Sequence, residues 1–600
     1  MLKLFKTLPR AIKLKFLLAC FLTFIGVFLS LTMPNFIAQF IKLIFNNEPK
    51  QSIEIIAGVN IFENADRNYI QNWLIIIITV QTILTALVSF ASVFMFVWAA
   101  EQSSFFFRRS LYDKLNALSL KNLADLKPES IMTRISNDVA TFWDFLVSGL
   151  RMIVKGTMLI VGGVILSLLV NWKMALVILP TIPILIIVML VIAKFASPLI
   201  KKSKLQLEDV TKEIEENVNG ARTIKTYNLE TQRTQKFSQT NSFWYKLNTK
   251  FATVVTLLFP IFFATVHFVV IGIYMFTRHQ IISQVATDNT VVQMNIFIDY
   301  LWLIAFGIML VTSFLRFAFV ARVSAKRITE VLDIKQDELF VEHGIKIKDL
   351  VEGNPNLNYD LEFKNLNFKY YHENPNYALK NINLKVPFGT KLGIVGLFAS
   401  GKSTLVSLVL NNYLYNEGSI TLANQEINKI NTNQLLQTVS IVYQNAMLYS
   451  GTIRSNMLWA KPDASDEEIY SALKAACAYD FVNKFDDKLD HKITEGATNL
   501  SGGQKQRISI ARTLLRKPKI LILDDSTSAL DNITTKKVLK NIKNDFECTT
   551  ILISQKIGSL KDCDNIVVMQ SGKIIAQGTH KFLLKNNEFY AQIHHNQFDL

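Results

Sequence analysis

Residues 392–404 read Leu-Gly-Ile-Val-Gly-Leu-Phe-Ala-Ser-Gly-Lys-Ser-Thr. They fit the pattern Gly-x-x-x-x-Gly-Lys-Ser between an apolar strand and an apolar helix, the context in which this pattern wraps phosphate groups. Gly396 and Gly401 permit a tight loop whose N–H groups point at phosphate oxygens, and the helix N-terminus adds its dipole. Lys402 would neutralise the β- and γ-phosphates, and Ser403 would offer an oxygen to Mg²⁺. The residues predicted to surround the nucleotide phosphates are Gly396, Ala399, Ser400, Gly401, Lys402, Ser403 and Thr404.

A second apolar run, residues 520–523, ends in the paired acids Asp524 and Asp525. An acid at the end of a buried strand beside a phosphate loop can hold Mg²⁺, which prefers oxygen ligands. We therefore predict that Asp524 and Ser403 are metal ligands. The simpler alternative is an ordinary aspartate in the turn after a strand. Together the two runs predict an α/β domain built around a P-loop.

Between these two runs lies Leu-Ser-Gly-Gly-Gln-Lys-Gln-Arg, residues 500–507. This segment resembles the signature motif of the ATP-binding-cassette (ABC) family. A serine and two glycines at a helix N-terminus form a second anion site, but phosphates already surrounded by the Lys402 loop cannot use it. The resemblance implies a dimer in which this site closes over the ATP of a partner domain, and a helical subdomain that carries it. The residues implied in that contact are Ser501, Gly502, Gly503 and Gln504.

Other segments resemble the family position by position. Tyr370 is similar to the aromatic residue that stacks on adenine, although a core aromatic is the open alternative. Gln444 is similar to the glutamine that touches Mg²⁺ and faces the membrane domain. Asp531 is similar to a residue of the loop that crosses the dimer interface. Residues 130–138 and 219–227 resemble the intracellular loops of ABC exporters, so the resemblance covers almost the whole chain.

Two positions depart from the family's pattern. The family usually has a glutamate that acts on the attacking water, whereas this chain has Asp525, one methylene shorter. A well-placed general base contributes about 10²–10⁴ in rate, and a misplacement of about 1 Å loses much of it. The family's histidine at the γ-phosphate is replaced by Gln555, which can form hydrogen bonds but carries no charge. We predict Asp525, Gln555 and Gln444 as the residues at the catalytic position.

These departures, beside an intact Lys402 loop and signature, resemble the degenerate-site half of heterodimeric bacterial multidrug and lipid-type exporters. The resemblance therefore implies a heterodimer with a second ABC half-transporter and a weakly hydrolytic ATP site on this chain. A homodimer with two slow sites is the first alternative. A non-transporting membrane sensor and an ATP-gated channel are further alternatives.

The first half of the chain is dominated by apolar runs. Hydrophobic residues make up 50% of the chain and charged residues only 19%, against about 25% charged in soluble proteins. A helix of about 20 apolar residues spans a bilayer, so we predict an all-α transmembrane domain with six helices. The predicted runs are residues 16–41, 68–100, 156–172, 174–193, 251–277 and 290–315.

The charge distribution sets the expected orientation. The formal net charge is +16, which fits basic cytoplasmic loops of a membrane protein better than nucleic-acid binding. The basic N-terminus is expected in the cytoplasm of a plasma-membrane protein, and six crossings return the chain to the same side. We predict a transmembrane domain over 1–327, a linker over 328–360 and a nucleotide-binding domain over 361–600.

Four polar residues in or just before the apolar runs are candidates for contact with cargo or lipid. Asp299 could line a substrate path for cationic cargo, or lie at the outer interface if its helix begins later. His267 is expected to form an interhelical hydrogen bond, with a substrate or proton site as the alternative. Arg151 and Lys155 are expected at the inner end of the third helix, reaching towards the headgroups. The expected cargo is a hydrophobic or amphipathic drug, lipid or peptide.

Overall fold

The fold is described from a computed structural model, which describes residues 1–45, 50–56, 59–126, 128–283, 290–335, 339–371, 373 and 375–598. The chain forms two compact units. The first contains Met1–Leu115 and Glu129–Ile334, and the second contains Asn116–Pro128 and Lys335–Leu600. A short segment from the first half of the chain therefore belongs to the second unit.

The first unit is built from long helices. Its helices are α1 (Leu2–Thr7), α2 (Arg10–Phe45), α3 (Arg67–Asn116), α5 (Pro128–Thr133), α6 (Val139–Asp144), α7 (Leu150–Val170), α8 (Trp172–Ile178), α9 (Thr181–Asn219), α10 (Ala221–Thr226), α11 (Glu230–Thr256), α12 (Leu258–Ile282) and α13 (Thr290–Asp333), with α4 (Leu120–Leu126) in the other unit. Two π-helical turns, Arg134–Asp138 and Phe145–Gly149, connect α5, α6 and α7.

Six stretches among the described residues are long and apolar enough to cross a membrane. They are Arg10–Ile44, Arg67–Asn116, Ser130–Val170, Trp172–Asn219, Glu230–Ile282 and Thr290–Asp333. Each overlaps one of the predicted apolar runs, so the prediction of six membrane helices is confirmed.

The third and sixth spans pack closely through glycines. A Cβ built on Gly156 of α7 would lie 2.8 Å from the carbonyl oxygen of Gly307 on α13. A Cβ built on Gly307 would likewise lie 2.8 Å from the carbonyl oxygen of Gly156. Small residues let helix backbones approach in a membrane. The pair therefore fixes how closely α7 and α13 can lie.

A β-hairpin follows the first span, in a domain that the sequence predicted to be all-α. Strand β1 (Lys50–Ile56) pairs antiparallel with β2 (Val59–Asp66). The pairing of two strands depends on their mutual register, and the apolar runs that predicted the helices carry no information about it.

The two polar residues predicted inside the last spans have different surroundings. Helix α13 begins at Thr290, so the alternative in which it begins after Asp299 is wrong. His267 of α12 forms no hydrogen bond with the described residues. Its ring instead meets the ring of Trp302 on α13 edge-on, with centroids 5.7 Å apart. An aromatic contact thus replaces the expected interhelical hydrogen bond.

The second unit contains two larger sheets. One has six strands in the order β14-β13-β5-β12-β11-β8, parallel except for the β13–β14 pair, and the other is an antiparallel sheet in the order β4-β3-β6-β7. A two-stranded sheet pairs β9 with β10. The strands are β3 (Leu361–Phe368), β4 (Leu379–Val386), β5 (Lys391–Val395), β6 (Glu417–Leu422), β7 (Gln425–Glu426), β8 (Val439–Val442), β9 (Gly451–Thr452), β10 (Lys492–Ile493), β11 (Ile520–Asp524), β12 (Thr549–Ile553), β13 (Asn565–Gln570) and β14 (Lys573–Gly578).

Helices surround these sheets. They are α14 (Ile347–Glu352), α15 (Lys402–Val409), α16 (Thr432–Thr438), α17 (Ile453–Leu458), α18 (Asp466–Ala475), α19 (Tyr479–Val482), α20 (Gly502–Leu514), α21 (Asn532–Asp545), α22 (Ile557–Leu560), α23 (His580–Asn586) and α24 (Glu588–Phe598). The α/β fold predicted for the second half of the chain is confirmed.

The central strands bring the phosphate loop and the paired acids together. Strands β5 and β11 both run parallel to β12, and every residue of β11 is buried. Burial on both faces explains why this strand is continuously apolar. Because parallel strands end at the same edge of a sheet, the loop after β5 and the acids after β11 share that edge.

The predicted linker contains regular structure in its described residues, 328–335 and 339–360. They include the end of α13, the helix α14 and a parallel bridge between Ile345 and Ile430. The segment Asn116–Pro128 meets the second unit at a defined contact: the Tyr371 hydroxyl donates to a carboxylate oxygen of Asp125 at 2.9 Å.

Candidate nucleotide site

The loop between β5 and α15 requires its two glycines. A Cβ on Gly396 would lie 2.3 Å from the carbonyl oxygen of Met569, closer than any real contact. Gly401 has φ +98°, a left-handed conformation that favours glycine. The glycines therefore fix the path of the loop against the neighbouring strand β13.

The side chain of Lys402 is folded into the loop. Its Nζ donates to the carbonyl oxygens of Gly396 at 2.9 Å and Leu397 at 2.8 Å, and to the Ser400 hydroxyl at 3.2 Å. Burial lowers the pKa of Lys402, and the nearby acids Asp525 and Asp524 act in the opposite direction. An ammonium held by three neutral oxygens is well placed to exchange them for the charged oxygens of a phosphate.

Asp524 ends strand β11 directly opposite the start of α15. One of its carboxylate oxygens accepts a hydrogen bond from the Ser403 hydroxyl at 3.1 Å. Burial raises the pKa of Asp524, opposed by that hydrogen bond and by the charge of Lys402. A buried carboxylate and a hydroxyl side by side form an oxygen-rich pair suited to a hard cation.

Asp525 turns towards the glutamine after β8. The Gln444 Nε2 donates to a carboxylate oxygen of Asp525 at 3.2 Å. Burial raises the pKa of Asp525, and the charge of Asp524 adds to this effect. The backbone of Asp525 is left-handed, with φ 46°, a conformation that aspartate tolerates better than most residues.

One cavity collects most of the predicted site residues. Its volume is about 320 Å³, and it is lined by Phe398, Ala399, Ser400, Gly401, Lys402, Ser403, Thr404, Gln444, Asp524, Asp525, Ile553 and Gln555. Gly396 lies at the start of the same loop. The residues predicted for phosphate, metal and catalysis are therefore neighbours, although they come from four separate stretches of the chain.

Tyr370 lies at the side of this loop. Its hydroxyl is 2.9 Å from the Thr404 hydroxyl, and its ring packs edge-on against Phe368 and Tyr413, with centroids 4.9 and 5.2 Å apart. The side chain nevertheless remains 39% exposed. Tyr370 is thus an aromatic held beside the phosphate loop with a surface left for a ligand.

The signature residues lie outside the cavity lining. Ser501 caps α20: its hydroxyl accepts from the Gln504 N–H at 3.3 Å, and its own N–H donates to the Gln504 side-chain oxygen at 2.8 Å. Nothing lies within 4 Å of a Cβ built on Gly502, whereas one on Gly503 would be 3.2 Å from the carbonyl oxygen of Ala529. Asp531 likewise caps α21, accepting from the Thr534 N–H at 2.8 Å. Neither cap contributes to the phosphate pocket of its own chain.

Comparison with known proteins identifies both halves of the chain. Residues 16–309 match the model for the ABC transporter transmembrane region, and residues 379–528 match the ABC transporter model. A putative ABC transporter ATP-binding protein of Mycoplasma genitalium is 31% identical over 99% of this chain and 98% of its own length.

The chain belongs to the ABC transporter family. An uncharacterized ABC transporter ATP-binding protein of Bacillus subtilis is 32% identical over 86% of this chain and 88% of its own length. A putative export ATP-binding/permease protein of Rickettsia typhi is 31% identical over 82% of this chain and 84% of its own length. A solved bacterial Atm1-family ABC exporter with ATP bound has the same fold, with a TM-score of 0.78 and 19% identity over 98% of this chain and 99% of that chain.

This ABC transporter is therefore a multi-pass membrane protein whose second unit binds and hydrolyses ATP. The sequence did not predict one contact in that unit, which Gln597 makes. The Gln597 side chain on α24 accepts from the Ile557 N–H at 2.9 Å and donates to the Gln555 carbonyl oxygen at 2.7 Å. It holds the backbone on which Gln555 lies. No local motif marks Gln597, because the contact depends on how the C-terminal helix packs.

Proposed function

We propose that this chain exports a hydrophobic or amphipathic substrate across the plasma membrane, driven by ATP, as one half of a dimer. The observation that carries the proposal is the single cavity that gathers Lys402, Asp524, Asp525 and Gln555 in a chain with six membrane helices. The relative in Rickettsia typhi bears an export name, which supports the direction of transport. The basic N-terminus favours a cytoplasmic location for both the N-terminus and the ATP-binding unit.

The proposed roles at the phosphates follow from the contacts. Lys402 exchanges the oxygens of its own loop for β- and γ-phosphate oxygens, and the N-terminus of α15 offers its free N–H groups to the same anion. Tyr370, exposed beside Thr404, stacks on the adenine. The site thus binds both ends of ATP with residues that are adjacent in the structure.

Ser403, Asp524 and Gln444 are the proposed holders of Mg²⁺. The Ser403 hydroxyl and the Asp524 carboxylate are 3.1 Å apart, and a divalent cation there would favour the ionised form of a carboxylate whose pKa burial raises. When bound, Mg²⁺ neutralises the charge on the phosphates. The oxygen donors present fit that ion.

Asp525 is the proposed base, and a weak one. Its carboxylate is tied to Gln444, and its side chain is one methylene shorter than the family's glutamate. Gln555 lines the cavity but brings no positive charge to the γ-phosphate. We therefore propose that this site turns over slowly and that ATP held here acts mainly to clamp the dimer.

The signature residues supply the argument for a second subunit. Ser501, Gly502, Gly503 and Gln504 lie outside the cavity of their own chain, as does Asp531 on the proposed interface loop. An anion site that its own chain does not use fits ATP bound to a partner. A partner with glutamate and histidine at the two altered positions would complete one fully competent site.

Co-purification from native membranes tests the partner. A tag on this chain should recover a second ABC half-transporter at equal stoichiometry. Recovery of this chain alone, as an active homodimer, would exclude the heterodimer. A low ATPase rate of that homodimer would fit the alternative of two slow sites, and a high rate would exclude that alternative as well.

A further inference from the structure

A cavity in the first unit lies between four membrane helices. Its volume is about 220 Å³, and its walls come from α2, α3, α7 and α13. Two basic residues of α7, Arg151 and Lys155, line it. They are four residues apart and therefore project from the same helical face.

These two cations lack a counter-charge. No acidic residue lines the cavity, and among the described residues neither Arg151 nor Lys155 forms an ion pair or a hydrogen bond. The Lys155 ammonium lies over the ring of Phe306, 5.9 Å from its centroid. Charges within membrane helices are costly and usually face a partner or a pathway. The cavity is therefore short of negative charge.

Ser89, on α3 in the opposite wall of the cavity, offers a hydroxyl to a ligand. The hydroxyl oxygens of Thr23 and Ser92 are 2.7 Å apart, and each lies within hydrogen-bond distance of the carbonyl oxygen of Ala19. Both hydroxyls therefore already have hydrogen-bond partners within the protein. The Ser89 hydroxyl, by contrast, has no hydrogen bond within the described chain. A Cβ built on Gly26 would lie 3.4 Å from its Oγ, so this hydroxyl lies beside α2.

The rest of the cavity is apolar and lies among the membrane helices. Val27, Phe306 and Leu310 contribute hydrocarbon surface. Lys155 directly precedes the apolar run 156–172, whereas Gly26, Ser89 and Phe306 lie inside the runs 16–41, 68–100 and 290–315. The two cations therefore face a cavity within the membrane-spanning helices. The glycine contact between α7 and α13 lies next to Lys155, so this wall is closely packed.

We propose that this cavity binds the phosphate-bearing headgroup of an anionic amphiphile. A guanidinium can hold two phosphate oxygens at once, while the Lys155 ammonium and the Ser89 hydroxyl offer donors to the remaining oxygen. A phosphate has enough oxygens for all three groups, whereas a carboxylate has two. The acyl tail lies along Val27 and Leu310. That this amphiphile is cargo rests on the export function proposed above; that it binds does not.

Native mass spectrometry of the purified full chain measures the binding, with dioleoyl phosphatidic acid as the probe. We expect Arg151→Gln/Lys155→Gln to weaken binding by at least about tenfold, because two charge-assisted contacts are lost. The matched control Lys194→Gln/Arg316→Gln removes the same charge from exposed positions of the same unit outside the cavity, and should bind as the unmodified chain does. Lys155→Arg keeps the charge and should retain binding.

Equal loss in the cavity and control variants would overturn the site, since only net charge would then matter. Equal affinity for oleate would overturn the assignment of phosphate. Equal affinity for soluble glycerol 3-phosphate would overturn the need for a tail and point to a free phosphate as the ligand. Binding unchanged in the cavity variant would overturn the proposal outright.

The cargo step has its own measurement. In proteoliposomes containing the complete transporter, phosphatidic acid should stimulate ATPase activity of the unmodified and control proteins, and not of the cavity variant. Normal binding without stimulation would show that the lipid is a bound structural ligand, which overturns the cargo step alone. Absent ATPase activity in every protein would instead contradict the proposed export function, while the binding result still decides the site.

Discussion

Two helix N-termini in the second unit can face phosphate, and they differ in what surrounds them. Helix α15 begins at Lys402 inside a cavity that also holds Asp524, Asp525 and Gln444. Helix α20 begins after its cap Ser501, which is exposed and whose N–H donates to the side-chain oxygen of Gln504. We call the first the complete site, because it gathers the residues that we propose for one nucleotide. We call the second the incomplete site, because its residues do not line that cavity, which fits the proposed partner chain.

The largest expected effect falls on the incomplete site. Ser501→Arg places a bulky cation in the turn that would close over the partner's ATP. Steady-state ATPase activity of the purified complex in lipid should fall almost completely. Ser465 provides a matched control, because it caps α18 with the same reciprocal arrangement, using Glu468.

Loss of the Ser465 cap costs only about 1 kcal/mol of helix stability, so Ser465→Arg should keep most of the ATPase activity. Equal losses in the two variants would show that Ser501 acts through helix stability. The contrast between the two helix N-termini would then carry no functional meaning.

The next effect concerns the complete site. Lys402→Ala removes the one lysine in its cavity lining, so photolabelling of this chain by an ATP analogue should fall by about tenfold or more. Lys348→Ala, which removes an exposed lysine of α14, should leave the labelling unchanged. Turnover should fall less than labelling if this site mainly clamps the dimer. Undiminished labelling of Lys402→Ala would contradict the phosphate role.

Substitution of Asp525 should affect the transporter less than substitution of Ser501 or Lys402. Asp525→Asn removes the base from a site that already turns over slowly, so ATPase activity of the complex should change by less than about twofold, against the 10²–10⁴ expected of a well-placed base. If Asp525→Asn abolishes activity and Ser501→Arg does not, Asp525 is a working base and the degenerate half is the other chain.

The contrast between the two helix N-termini also shows what sequence alone can provide. The Lys402 loop and Asp524 were predictable because each lies in a strand–loop segment whose pattern is local, and parallel strands bring such ends together. The signature resembled its family within eight consecutive residues. Local sequence patterns were therefore enough to predict both proposed anion sites.

Contacts between distant segments were not predictable in this way. The cavity around Arg151 and Lys155 needs four helices that are separated by long stretches of sequence, and the residues alone indicated only side chains reaching towards lipid headgroups. The hydrogen bond between Asp125 and Tyr371 joins a short helix from the first half to the second unit. His267 lacks the expected hydrogen bond because Trp302 presents a ring to it. In each case packing between elements, which periodicity does not encode, decides the contact.

The smallest expected effect concerns Gln597, whose side chain holds the backbone at Gln555, a residue that lines the complete site. Gln597 holds the backbone at Gln555 and Ile557 with two hydrogen bonds, each worth about 1 kcal/mol. Gln597→Ala should therefore speed amide exchange at Ile557 by about fivefold or more and lower ATPase activity by less than twofold. Asn596→Ala, one residue earlier on α24 and also exposed, should change neither. If both variants speed exchange equally, fraying of the C-terminal helix is the cause. If only Gln597→Ala does, the cavity around Lys402 has a support from the C-terminus, and Gln597 is a positioning residue for the Gln555 loop.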